Sequence, residues 1–212
     1  MKTAVCFAFL ASASALSAHP HIFIDGGVDF HLDGNGMLHK VEVTWIYDKF
    51  ETLYILSSQG ISPTMDGTLN SNDLSVLTSL YENWPPDFDG SVHLKYLEQN
   101  IDLNWPQNAS VTYSENRLKI KFERTLKTKL LLTNTPLDIG FYERTYFFDF
   151  SITSPPEIIG NIANCSATLI PFEINSQSTE ILRDLSYLSR EETPEDTEIG
   201  SKLADRIQLI CD

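Results

Sequence analysis

Apolar and polar residues alternate from the first histidines of the chain towards a glycine-rich turn. In an extended segment His19, His21, Phe23 and Asp25 project to one side, while Pro20, Ile22 and Ile24 project to the other, which is the period of a strand. The alternation continues over residues 28–32, breaks at Asp33-Gly34-Asn35-Gly36 and returns over 38–47, predicting a β-hairpin. The period changes over residues 48–59, where Phe50, Leu53, Tyr54 and Leu56 recur at helical spacing. A second helix is expected from Ser71 through Leu74, Leu77 and Leu80 to Tyr81, stopped by Trp84-Pro85-Pro86. Beyond Ser91 the pattern is strand again, over 92–97, 110–113, 117–123, 129–133, 145–152 and 163–171, at the short spacing of a sandwich or a meander. A helix over 180–189, an acidic loop over 191–198, a short helix near 201–205 and a strand over 207–211 complete the chain. The expected fold is α+β: strand-rich, with antiparallel sheets, a helical pair inserted at about 48–84 and a short C-terminal helix.

The first eighteen residues, MKTAVCFAFLASASALSA, do not fit that domain. One Lys, a short apolar core and an Ala/Ser-rich end have the build of a secretory signal peptide and are too short to span a bilayer. Cleavage after Ala18 would make His19 the first residue and leave 212 − 18 = 194 residues, the size of a single domain over 19–212. Cleavage after Ala15, behind the Ala13-x-Ala15 pair, stays open. The expected location is the periplasm or the exterior, and no later run of about 18 apolar residues predicts insertion of the mature chain into a membrane. Cys6 leaves with the signal, so the mature chain keeps Cys165 and Cys211. Two cysteines in an exported protein most simply form one disulfide. A thiolate metal site would want a second cysteine near either residue, and there is none. The formal charge of −14 becomes −15 once Lys2 is lost, which repels nucleic acid and anionic membranes and attracts cations.

Four segments together resemble one bacterial family. AHPHIFID at the mature start, VEVTWIYDKF in the second strand, NCSATL around Cys165 and ADRIQLIC around Cys211 are similar, in that order, to the domain-of-unknown-function 1007 family. The resemblance implies a periplasmic component of an ABC-type transport system, often encoded beside nickel/cobalt-type transporters, with an inner-membrane metal transporter as its partner. Relatives also carry an acidic, EF-hand-like loop between the first two helices. Here SPTMDGTLNSND, residues 62–73, keeps Gly67, Leu69 and a terminal acid, Asp73, but has Ser62 and Thr64 where carboxylates belong. Asp66 and Asp73 alone are too few for tight calcium binding, so the expectation is a helix-loop-helix without its ion. The family's Asp before the Tyr-rich strand is replaced by Glu143.

The candidate chemistry lies at the new N-terminus. An α-amine and an imidazole on one residue, His19, form a chelate ring suited to Ni(II), Co(II), Zn(II) or Cu(II). Pro20 removes a backbone N–H, which leaves the imidazoles as the main ligands. His21 should lie on the same strand face, about 6.6 Å further along, with Asp25 beyond it and Asp48 as a more distant ligand. His31, His39 and His93 are expected to be solvated or packed. The chain has no G-x-S-x-G, H-E-x-x-H, P-loop or Rossmann fingerprint, and it is too short for a two-lobed solute receptor. The leading expectation is therefore a non-enzymatic protein that binds and delivers a divalent transition ion. A structural or interaction domain without ligand is the alternative, and a copper oxidase with an N-terminal histidine brace, recruiting His93, is a more remote one.

Overall fold

The computed structural model describes residues 19–85, 88–160, 164–189 and 192–211; the expected signal segment and its cleavage point lie outside them. Strand β1 (Ile22–Leu32) and strand β2 (Met37–Tyr47) form the expected hairpin. Its turn is closed by Asp33, whose Oδ1 accepts from Asn35 N at 2.9 Å and Met37 N at 3.1 Å, with Gly36 at φ 77°. Lys129, which donates to Asp33, and these two amides hold the Asp33 carboxyl down to about 2.

Asp48 then caps helix α1 (Lys49–Ser58), and Asn70 caps helix α2 (Ser71–Leu80). Both helices stand where the apolar spacing puts them, but α1 buries a different face. Phe50, Leu53 and Tyr54 are exposed, while Thr52 and Leu56 are buried. Thr52 reaches a partner that hydrophobicity does not reveal: its Oγ1 accepts from Leu118 N at 3.1 Å. A buried hydroxyl with a satisfied hydrogen bond costs little and fixes the rotation of the helix.

The remaining chain is mostly strand: β3 (Val92–Tyr96), β4 (Gln99–Ile101), β5 (Gln107–Ser114), β6 (Arg117–Leu131), β7 (Leu137–Phe141), β8 (Phe148–Ile152), β9 (Ile158–Ile159), β10 (Cys165–Ile170) and β11 (Arg206–Cys211). Helix α3 (Ser176–Leu185) and a 3-10 turn (Ile199–Lys202) stand between β10 and β11. One six-stranded sheet runs β5-β6-β2-β1-β8 with β9 also on β1, and a five-stranded sheet runs β10-β11-β7-β3-β4. The fold is α+β, as the sequence predicts, though the sequence pattern does not predict β4, β7 and β9, and α3 is shifted N-terminal to the helix expected over 180–189. The sheets are not purely antiparallel, since β8 and β9 join β1 in parallel. The strands expected at 117–123 and 129–133 are one, β6, because residues 124–128 stay extended through a shift of register against β2.

Both sheets turn their buried phase to one core. Val28, Phe30, Val43, Trp45, Ile120 and Phe122 from the larger sheet share a cluster with Val92, Leu137, Ile139, Phe141, Ile207 and Leu209 from the smaller. Trp45 sits among the rings of Trp84, Phe88, Phe122, Phe148 and Phe150, with centroids 5.4–6.2 Å away. No helix among the described residues is long and apolar enough to cross a membrane.

Cys165 and Cys211 face each other across the β10–β11 ladder and are joined by a disulfide. The bridge closes a loop of sequence separation 46, which in the chain-entropy model restricts the unfolded state by about 4 kcal/mol. Replacing both by Ser should lower the unfolding free energy in urea by about 2–4 kcal/mol. Free thiols at both positions in the unreduced, unfolded protein would contradict the bridge.

Candidate functional site

The parallel pairing of β1 with β8 begins at Ile22 opposite Phe148, and His21 N donates to Phe147 O at 2.9 Å. This pairing brings the residues before β1 against the end of the loop between β7 and β8. The histidines therefore lie ahead of the strand instead of inside it, and the His19–Pro20 peptide bond is cis. Their ring centroids are 5.0 Å apart at 64°. Phe147 lies beneath both, 4.7 Å from the His21 ring and 6.3 Å from that of His19. The two imidazoles are brought together more closely than strand spacing predicts.

His19 is buried, and its Nδ1 has no hydrogen-bond partner among the described residues. Burial pushes the imidazole below its ordinary 6.5, against a weaker upward pull from the negative charge of Glu143. Glu143 in turn organises the loop. Its Oε1 accepts from Thr145 N at 2.9 Å and its Oε2 from Phe147 N at 2.8 Å, so this carboxylate positions the ring beneath the histidines. Sequence reading noted Glu143 only as a replacement. Its role depends on a parallel pairing of β8 that no local pattern reveals.

The other candidate ligands serve elsewhere. Asp25 Oδ2 pairs with Arg117 Nη1 at 2.7 Å, and Arg117 also donates to the carbonyls of Tyr47 and Ile46. Asp48 accepts from Glu51 N at 2.7 Å as the cap of α1. His93 is stacked on Tyr142 with centroids 4.0 Å apart, and the rings of His31 and His39 lie 6.5 Å from each other. Among the described residues no group of three or more His, Cys, Asp or Glu side chains is placed to hold a metal ion. The site that remains is a pair of imidazoles, nitrogen donors of the type that late first-row divalent ions prefer.

The loop between α1 and α2 is closed by hydroxyl groups. Thr64 Oγ1 donates to Asp66 Oδ1 and accepts from Thr68 N at 3.2 Å, and Thr68 Oγ1 donates to Asp66 Oδ1 at 2.9 Å. These two hydroxyls hold the Asp66 carboxyl below its ordinary value. Asp73 is occupied at the start of α2, where it accepts from Asn70 Nδ2 at 2.7 Å while its amide donates to Asn70 Oδ1 at 2.9 Å.

Residues 4–211 match a family model described as "Protein of unknown function (DUF1007)". No curated protein matches the chain.

With Asp66 and Asp73 engaged in these contacts, the loop over 62–73 should show no calcium binding in the sensor range of about 10⁻⁷–10⁻⁵ M by calorimetry. A dissociation constant inside that range would contradict this reading of the loop.

Proposed function

Because the chain belongs to the family described as "Protein of unknown function (DUF1007)", its role rests on its own residues, and we propose that it is a periplasmic accessory protein for a divalent transition ion. His19 and His21 bind the ion, which is of the nickel, cobalt or zinc type. The protein carries it to or from an inner-membrane transporter and catalyses no reaction. The observation that carries the reading is the pairing of two imidazoles 5.0 Å apart with a buried, unpartnered His19 Nδ1. Processing after Ala18 would add the α-amine of His19, and amine and Nδ1 of one histidine close a six-membered chelate ring. Two imidazoles and an amine leave much of the coordination shell open, which suits a carrier that must release its ion.

The protonation state of His19 favours the same role. An ion competes with protons for the imidazole nitrogen. Because burial lowers the His19 pKa, protons displace the ion from this ring at lower pH than from an exposed imidazole. The folded state likewise disfavours protonation there, so acidification weakens ion binding and folding together.

A ligand-free interaction domain is the second reading. It is favoured by the exposed stripe of Phe50, Leu53 and Tyr54 on α1, each more than half accessible. Metal titration separates the two. Ni(II), Zn(II), Co(II) and Cu(II) should bind the protein that begins at His19, and the His19→Ala/His21→Ala protein should not bind them. Retaining Leu16, Ser17 and Ala18 should weaken binding by at least about tenfold, or about 1.4 kcal/mol, by removing the amine. Binding should weaken on acidification, first as protons compete for the α-amine near its ordinary value of about 7.7–8.0 and then for the imidazoles. No metal binding by the parent protein would leave the interaction domain as the better account, and equal binding by the double variant would place the ion away from the histidine pair.

A further inference from the structure

Strand β6 turns Leu118, Ile120, Phe122, Arg124 and Leu126 to the core on successive inward positions, and all five are buried. A guanidinium at the fourth of these positions breaks the apolar pattern and calls for compensation. Its Nε donates to Asn104 O at 2.6 Å and its Nη1 to the main-chain oxygen of Asp89. No carboxylate among the described residues lies within ion-pair distance of it, and Nη2 has no hydrogen-bond partner among them. The chain makes room for this group at Gly90, where φ is 74° and an added Cβ would collide with Nη1.

Arg124, whose charge among the described residues only the Asp89 carboxylate offsets at longer range, lines a cleft of about 410 Å³, within the range of small-molecule sites. One wall is the stacked pair of His93 and Tyr142. Burial lowers the His93 imidazole from its ordinary value, against the opposing pull of the Asp89 carboxylate 3.6 Å away. At the rim Arg144 pairs with two carboxylates, Asp89 at 3.3 Å and Glu198 at 3.5 Å, which leaves surplus negative charge there. On the other side Asp102 has only an exposed Lys127 at 3.2 Å. The charges left to a ligand are thus a positive group on the floor, itself attracted by the Asp89 carboxylate, and surplus negative charge at the edge.

We propose that this cleft binds a small amino-acid-like zwitterion, with its carboxylate on Arg124 and its ammonium group towards Asp102. A guanidinium edge matches a planar carboxylate, while the acids at the rim repel dianions. The site is separate from the histidine pair, and its test does not depend on metal binding.

Calorimetric titration of the purified, metal-free protein with glycine, glutamine, histidine and arginine, and with succinate and phosphate as dianions, decides the matter. At least one amino acid should bind saturably and more tightly than either dianion. Arg124→Lys keeps the charge but loses the free Nη2 donor, and it should weaken that binding by at least about tenfold. Asp102→Asn alters an exposed side chain outside the core and should weaken it as well, which keeps the test decisive if Arg124→Lys does not fold. Absence of saturable binding by every amino acid, dianions binding as tightly, or an unchanged Asp102→Asn protein would overturn the proposal.

Discussion

Strand β1 is hydrogen-bonded along both edges, and the rest of the architecture depends on it. On one side it runs antiparallel to β2 from Ile24 opposite Tyr47 to Leu32 opposite Leu38. On the other it runs parallel to β8 and then to β9. A parallel neighbour cannot arrive by a tight turn, so everything between β2 and β8 forms the connection, including the helical pair and half of the second sheet. The same pairing carries the segment before β1 onto Phe147. Without β8 beside β1 the histidines would lose their contact with Phe147.

Side-chain packing then ties the two sheets into one body. Trp45 on β2 touches rings from β6, β8 and the segment after α2, and Phe150 continues the contact to Phe141 on β7. Aromatic edge-to-face pairs of this kind add about 0.5–1.5 kcal/mol each beyond the area they bury. Tyr47 and Tyr81 lie at the margin of this cluster, where burial pushes both phenols upward, Tyr81 to about 12. The loop between β7 and β8 crosses from this core to the surface. It places Tyr142 and Arg144 at the cleft, Glu143 as its own organiser and Phe147 beneath the histidines.

Much of the fold was legible because its signals are local. The Asp33-Gly34-Asn35-Gly36 turn, the helical spacing over α1 and α2 and the alternation of β3 and β11 each act within a few residues. What local pattern missed depends on distant partners. The rotation of α1 follows from Thr52 meeting the amide of Leu118, and the continuity of β6 from its bulged pairing with β2. The short β7, with Gly140 among its five residues, lacked length to stand out. At the site, the i, i+2 spacing marked His19 and His21 as neighbours. Neither their closer approach ahead of β1 nor the loss of Asp25 to Arg117 was legible, the latter because those two residues lie far apart in sequence. Arg124 could have been noticed as a charge on the buried phase of an alternating strand.

The central claim is that an N-terminal pair of imidazoles, held by the β1–β8 pairing, receives a divalent ion. X-ray absorption spectroscopy of the nickel-loaded protein that begins at His19 examines the metal's own surroundings. The account predicts a shell of nitrogen and oxygen donors with the outer-shell multiple scattering of two imidazole rings, and no sulfur. A spectrum without imidazole scattering, or one with a single ring, would place the ion elsewhere and contradict the account.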